Sequence, residues 1–419
     1  MACFWPHAPI SKASQETSRV TFVSTPRNIQ RLLPISPNSL GNINLVKLPL
    51  PIVEGLPEDC EATMDLQPNK IEFLKKACDG LREPLEQLLL EDLPNLILFD
   101  FIQCWVPQVA AKLGIRSAFF SAYTASTLAF IRPPSELRPT GQRKKPEDLA
   151  VPPKWFPLTS LVSQGPHQAA KMYKNLKFPD ASGMSSGQRW EKTIMGSGFV
   201  AVRSCPEFKP EYLALLKEIY KKPVLPVGLP TPSFEKNTDA VNSTWCTDSR
   251  WLDRQTRKSV LFVGFGTEYK MPIGQIHELA RGLKLSGSPF LWIIRKPKGT
   301  NSSQLLPRVS RPNSRQGTGL IWLGSTAIGG CLYHSGWSSI IESLGFGLPQ
   351  ILMPMVDDQG LNSKLLVEKG IGFEVPRNED GSFTREDVAK SIRFVLVEEA
   401  GETLRKKAEN MRTISTKAT

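Results

Sequence analysis

Residues 329–362 read GGCLYHSGWSSIIESLGFGLPQILMPMVDDQGLN, and their polar members have the types and spacing for anion and polyol chemistry. A short apolar stretch delivers His334 to a helical pattern that opens Ser335-Gly336-Trp337-Ser338-Ser339. Backbone N–H groups at a helix start lack intrahelical partners, and the helix dipole favours a negative charge there. Small residues at such a turn let a phosphate approach the backbone closely. His334, the N–H groups of Gly336, Trp337, Ser338 and Ser339, and the Ser339 hydroxyl are therefore candidate phosphate ligands. Glu342 comes eight residues after the histidine, a carboxylate suited to gripping the two hydroxyls of a ribose. The second apolar strand, PQILMPM, ends in Asp357-Asp358-Gln359-Gly360, where Asp358 and Gln359 offer acceptors and a donor to a polyol. A lone HSGW is satisfied by a helix start with capping serines and a core tryptophan. Phosphate, ribose and sugar contacts in that order instead describe a nucleotide-sugar site.

Two further residues have suitable settings. Thr267 comes after the Gly264-Phe265-Gly266 turn and can add a hydroxyl to the phosphate group, or simply cap that turn. Asp100 closes the apolar run NLILFD, where a carboxylate can orient a histidine base and stabilise its imidazolium, or cap the next helix. Asp357-Asp358 lacks D-x-D spacing and no His/Cys cluster accompanies it, so no metal or other cofactor is expected.

The elements that must position these groups alternate short apolar strands with amphipathic helices, the pattern of α/β folds with parallel sheets. In the first half VTFVST (20–25), NLILFD (95–100) and RSAFFSA are predicted strands. Residues 70–90 are a helical stretch interrupted at Pro84, and VPQVAAKLG is a helix. The proline- and charge-rich stretch 131–190 is expected to be an irregular lobe, where ligand specificity often lies. After AVRSCPEF the piece 223–248 is the expected linker. The second half restarts with SVLFVGFGTE, then the helix HELARGLKLSG and the strand PFLWIIRK. GLIWLG, GGCLYH and PQILMPM are further expected strands, with helices at 338–346 and 361–369 and a helical stretch at 398–412. The predicted partition is 1–222 and 249–399 as two Rossmann-like domains, with 400–419 as a C-terminal helix. Ligands in such sheets bind beyond the carboxyl ends of the strands, where every polar group named above falls.

Composition agrees with a two-domain globular protein: 419 residues exceed one ordinary core, with 40% apolar and 22% charged residues. Seven scattered cysteines without paired spacing argue for reduced thiols in the cytoplasm rather than a disulfide frame or a zinc site. No h-region and no run approaching 18 apolar residues is present, so neither a signal peptide nor a membrane span is expected. The net charge of +12 is spread over amphipathic helices and loops with no aromatic-basic motif, which argues against nucleic acid.

The 329–362 segment resembles the C-terminal signature of plant family 1 UDP-glycosyltransferases, whose usual core is HCGWNS…E…DQ. STPRN, AVRSCPEF, WLDRQ, FGTE, ELARGLKLSG, LLVEKGIGFEVPR and DGSFTREDVAKSIR resemble one branch in particular. That branch adds a sugar to flavonoid or terpenoid glycosides and includes rhamnosyl- and glucosyltransferases. The likeness spans about residues 20 to 415 and implies the GT-B architecture, two facing Rossmann-like domains with a cleft between them. It implies inverting transfer of glucose or rhamnose from a UDP-sugar to a small hydrophobic glycoside, with UDP-sugar contacts at Thr267, His334, Gly336, Trp337, Ser338, Ser339, Glu342, Asp358 and Gln359. It also implies catalysis by a histidine oriented by Asp100 and a C-terminal helix that crosses back onto the first domain and here stops early; a monomer is the default expectation.

Two departures bear on activity. Relatives carry G-H-x-x-P some two dozen residues before the proline of STPRN; here His7, 19 residues before Pro26, is the candidate base, in a His-Ala-Pro context one residue short of that pattern. The family's uracil-stacking tryptophan, 18 residues before the signature histidine, is replaced by Gln316, and Trp322 stands only 12 before it. About nine family residues are absent between Gly324 and Ser325. The sequence thus allows an active transferase, or an impaired relative such as a splice product, a drifting duplicate or an incomplete gene model.

Overall fold

The computed structural model describes residues 19–32, 41–131, 136, 141–229, 250–294, 313–315 and 320–417. Two compact units are present. The first comprises residues 1–146 and 171–232, and the second residues 147–170 and 233–419. The expected partition kept 147–170 in the first domain. Those residues instead pack with the second unit; the Leu161 N–H, for example, donates to the Glu368 carboxylate at 3.0 Å.

The second unit is built on six parallel strands: β7 (Val260–Gly264), β8 (Phe290–Ile293), β9 (Asn313–Arg315), β10 (Ile328–Tyr333), β11 (Gln350–Leu352) and β12 (Gly372–Glu374). Their spatial order is β12-β11-β10-β7-β8-β9, the doubly wound arrangement, with the order reversing between β7 and β10. Strands covered on both faces are continuous apolar runs, and β10 and β11 are buried throughout. Alternate residues feed two cores: Leu261 and Val263 join Leu279, Val388 and Ile392 on one face, while Val260 and Phe262 join Trp322, Cys331 and Tyr333 on the other.

In the first unit β3 (Leu96–Phe99), β4 (Arg116–Ser121), β5 (Phe199–Val202) and β6 (Val224–Pro226) form a four-stranded parallel sheet. Separately, β1 (Val20–Ser24) pairs in parallel with β2 (Ile43–Lys47). Arg189 is fully buried and gives both terminal nitrogens to Asp79, at 2.8 and 2.5 Å, and also donates to the Ile102 carbonyl and Ser182 Oγ. Beside it, Phe101 stacks on Trp190 with ring centroids 4.5 Å apart.

Several expectations are corrected. Leu320–Leu323, expected as a strand, is a one-turn helix, since a short apolar run does not distinguish the two. The stretch expected to be irregular contains the helices Pro166–Lys177 and Ser186–Gly196, the latter opened by a Ser185/Gln188 capping box. The break expected at Pro84 falls at Gly80, between helices Ile71–Asp79 and Arg82–Glu91. Pro84 sits in the first turn of the second helix, where its missing N–H costs nothing. The stretch expected as a linker begins with β6, which pairs with β5, so the connection between the units starts only after Pro226. The final helix, Glu402–Lys417, belongs to the second unit and buries Ala408 and Met411. Cys60, Cys78, Cys104, Cys205 and Cys331 are free thiols among the described residues, and no described helix is long and apolar enough to cross a membrane.

Candidate functional site

Three neighbouring strands bring the predicted donor-site residues to one edge of the second unit. Since β7, β10 and β11 are parallel and adjacent, their carboxyl ends lie side by side, and they lead to Thr267, His334 and Asp358-Gln359 respectively. The reversal between β7 and β10 is where doubly wound sheets open a ligand crevice.

His334 is buried, and its ring edge lies between two glycines. A Cβ on Gly336 would stand 2.5 Å from Nε2, and one on Gly266 would stand 2.7 Å from Cε1 and 2.8 Å from Nε2. Gly266 also has φ +62°, a left-handed conformation that glycine adopts without steric cost. Both glycines are therefore conditions for the imidazole to occupy this place. Burial pushes the His334 pKa down to about 4, opposed by the Gly264 backbone. Nδ1 is buried without a hydrogen-bond partner. The ring is neutral at neutral pH, and the positive potential of the turn comes from backbone donors and the helix dipole.

The helix after it, Trp337–Gly345, begins at Gly336 without a side-chain cap, and its first backbone bond runs from the Ile340 N–H to the Gly336 carbonyl. The donors of the first turn therefore have no intrahelical acceptor. Ser335 reaches this start with φ +66°, a strained conformation for a residue bearing a Cβ. Ser338 is exposed and Ser339 half-buried, whereas Trp337 is a core side chain, 4% exposed, able to contribute only its backbone. Glu342 is buried on the second turn near Tyr333. Burial foremost, then Cys331 and the Glu342 carboxylate, raise the Tyr333 hydroxyl well above its ordinary pKa.

At the sugar end, Gln359 opens the helix Gln359–Lys369 and its Oε1 accepts from the Met355 and Val356 N–H groups at 2.9 and 3.0 Å. Its carbonyl is thus committed to the backbone, leaving the amide NH2 as the group for a polyol. Asp358 keeps some surface exposure, yet desolvation raises its pKa to about 6, opposed by a 2.8 Å hydrogen bond from Asn362 and reinforced by Asp357. Asn362 Nδ2 also donates to the Ser335 carbonyl at 3.1 Å. One amide so joins the turn after His334 to the turn at Asp358, a role the sequence motif did not suggest, although Asn362 stands four residues after Asp358 on the same helix face.

Thr267 is half-buried in the turn beginning at Gly266, the glycine packed against His334. In the first unit Asp100 Oδ1 accepts from the Phe101 N–H at 2.7 Å and caps the short helix Phe101–Gln103, an arrangement held by the Phe101–Trp190 stack. His7 and Gln316 lie outside the described residues. Trp322 packs in the second unit's core beside Trp251 and Phe346.

Comparison with known proteins identifies the family. Residues 234–403 match the family described as "UDP-glucoronosyl and UDP-glucosyl transferase". UDP-glycosyltransferase 91C1 of Arabidopsis thaliana is 41% identical over 407 residues, covering 95% of this chain and 87% of the relative. Soyasaponin III rhamnosyltransferase of Glycine max is 35% identical over 429 residues, covering 98% and 89%. Among solved structures, Arabidopsis thaliana UGT89C1 complexed with quercetin superposes with a TM-score of 0.74 at 20% identity, covering 99% of this chain and 92% of that one. Glycyrrhiza uralensis UGT73P12, complexed with glycyrrhetinic acid 3-O-monoglucuronide, gives 0.72 at 23% identity, covering 95% and 85%. These structures show the GT-B fold. The chain belongs to the plant family 1 UDP-glycosyltransferases, enzymes that move a sugar from a UDP-sugar to a small-molecule acceptor.

Proposed function

We propose that this enzyme transfers glucose or rhamnose from its UDP-sugar to a hydroxyl of a flavonoid or triterpenoid glycoside, with inversion at the anomeric carbon and without a metal. The observation that carries the donor half is the convergence of Thr267, His334 and Asp358-Gln359 on adjacent carboxyl ends at the reversal of the sheet. The diphosphate would lie on the N–H groups of residues 336–339, with the Ser339 and Thr267 hydroxyls and His334 beside it. Donors placed where negative charge grows on the leaving group act as an oxyanion hole does. Glu342 would take the ribose hydroxyls, while Asp358 and the Gln359 NH2 take the hexose.

At the acceptor, a histidine removes the hydroxyl proton as the oxygen attacks the anomeric carbon and the bond to UDP breaks. Asp100 is assigned to orient that histidine, and His7 is the candidate for it. The soybean relative named soyasaponin III rhamnosyltransferase supports a triterpenoid glycoside acceptor and rhamnose as donor sugar. Likeness over 95% of the chain to a curated transferase supports an active enzyme over an impaired one.

The test is to titrate UDP into the protein, then supply UDP-glucose or UDP-rhamnose with a flavonoid 3-O-glucoside or a saponin, with and without EDTA. Mass spectrometry should show one added hexosyl or deoxyhexosyl unit, NMR the inverted anomer, and EDTA no loss. Absence of UDP binding would refute the site, and retention of configuration would refute the mechanism. Loss of turnover on His7→Ala, with UDP affinity intact, is expected if His7 is the base.

A further inference from the structure

A buried amide at the sugar end of the site lies outside the assignments above. Residues 147–170 belong to the second unit and bring Gln164 and Gln168, 1% and 7% exposed, to the first turn of the Gln359–Lys369 helix. Gln164 Nε2 donates to the Asp357 carbonyl at 2.6 Å, tying this segment to a turn in which Asp357 holds φ +55°. Gly360 is where the two glutamines converge: a Cβ there would lie 2.6 Å from Gln168 Oε1 and closer still to Gln164 Oε1. Neither Nε2 nor Oε1 of Gln168 makes a hydrogen bond, although both atoms are buried.

Buried side-chain amides nearly always have partners, so this one is arranged for a group that both donates and accepts. A phosphate has no proton for the carbonyl oxygen, and a cation has no lone pair for the NH2. A sugar hydroxyl serves both. It would be one residue along from Gln359, whose own NH2 is available, and two from Asp358.

We propose that Gln168 is a pyranose-binding residue. Gln164 and the bare Cα of Gly360 hold it in place, and it extends the polyol site of Asp358 and Gln359. The pyranose is that of the donor or that of the glycoside acceptor, since both present the same vicinal hydroxyls. The inference rests on the proposed sugar-binding role of Asp358 and Gln359.

The experiment compares the intact enzyme with Gln168→Leu in two arms. Calorimetry with UDP and with UDP-glucose measures what the donor sugar adds to affinity. Steady-state kinetics with quercetin 3-O-glucoside and with quercetin measures what the acceptor sugar adds. Gln168→Leu should lower one of these ratios by about tenfold, the worth of one well-placed hydrogen bond, with UDP affinity unchanged. The arm that moves names the sugar. Gly360→Ala, which displaces both glutamines, should lower the same ratio. Should Gln168→Leu not fold, Gln168→Met provides the same comparison with less change of shape. Both ratios unchanged, with UDP still bound, would overturn the inference while leaving the donor site standing, and would mean that the amide is met by water. Failure of the unaltered enzyme to bind UDP would instead remove the donor reading and this inference with it.

Discussion

The two units present their strand-end polar groups differently. In the second, a continuous parallel sheet presents Thr267, His334 and Asp358-Gln359 at neighbouring strand ends, and Asn362 links the last two turns. In the first, Asp100 also ends a strand, but the described sheet is divided into four strands and two, and one Asp100 oxygen is engaged by the Phe101 N–H. Order there comes from the buried Arg189 guanidinium paired with the half-buried Asp79, and from the Phe101–Trp190 stack. A site whose ligands lie on a few adjacent strand ends is fixed by the sheet itself. A strand-end carboxylate that caps its own short helix is placed instead by side-chain contacts between separate elements.

Perturbing each unit separately tests that contrast. The largest expected effect is on stability: Asp79→Ala strands the buried Arg189 cation and should cost about 3–5 kcal/mol in denaturant unfolding. UDP affinity measured on the folded protein should not change, and a parallel loss of it would undo the contrast. Next, His334→Ala should lower kcat/KM by roughly 10²–10³, as removal of one oxyanion donor does. Gly336→Val should match it, because its side chain would enter the space of His334 Nε2. An activity within a fewfold of the unaltered enzyme would remove His334 from the donor site.

A smaller effect concerns pH. Asp358 has its pKa raised from 3.8 to about 6, so the folded protein holds a proton there that the unfolded chain releases. Its contribution to stability is therefore fully present below about 3.8 and lost as pH rises through about 6. Sugar binding should go the other way: KM for the UDP-sugar should rise as pH falls below about 6, by up to tenfold per unit. Asp358→Asn should flatten the profile, and an unchanged profile would exclude Asp358 from sugar binding. The smallest change expected is about fivefold in UDP affinity for Thr267→Ala, one hydroxyl of a shared set. No change at all would return Thr267 to a plain turn role.

Much of the donor lobe was legible because its signals are local. A histidine at a strand end, small residues at a helix start and a carboxylate on the next turn are fixed by spacing along one strand–helix–strand segment, and likeness to a known family reinforced them. The same reasoning failed where local signals were ambiguous. Leu320–Leu323 was too short for its apolar pattern to choose between strand and helix, and the prolines of 131–190 concealed the helices Pro166–Lys177 and Ser186–Gly196.

By itself the sequence determined the family, the parallel α/β class, and which residues stand at the carboxyl ends of β10 and β11. Only the tertiary structure decided that Gly266 and Gly336 enclose the His334 ring, and that Asn362 joins the Ser335 turn to the Asp358 turn. It alone brought Gln164 and Gln168 to Gly360 from almost two hundred residues away. The reason is physical. Periodicity and helix-start chemistry act over a few residues and are written in their spacing, whereas the meeting of distant side chains depends on how the sheet orders its strands and on which space a missing Cβ leaves open.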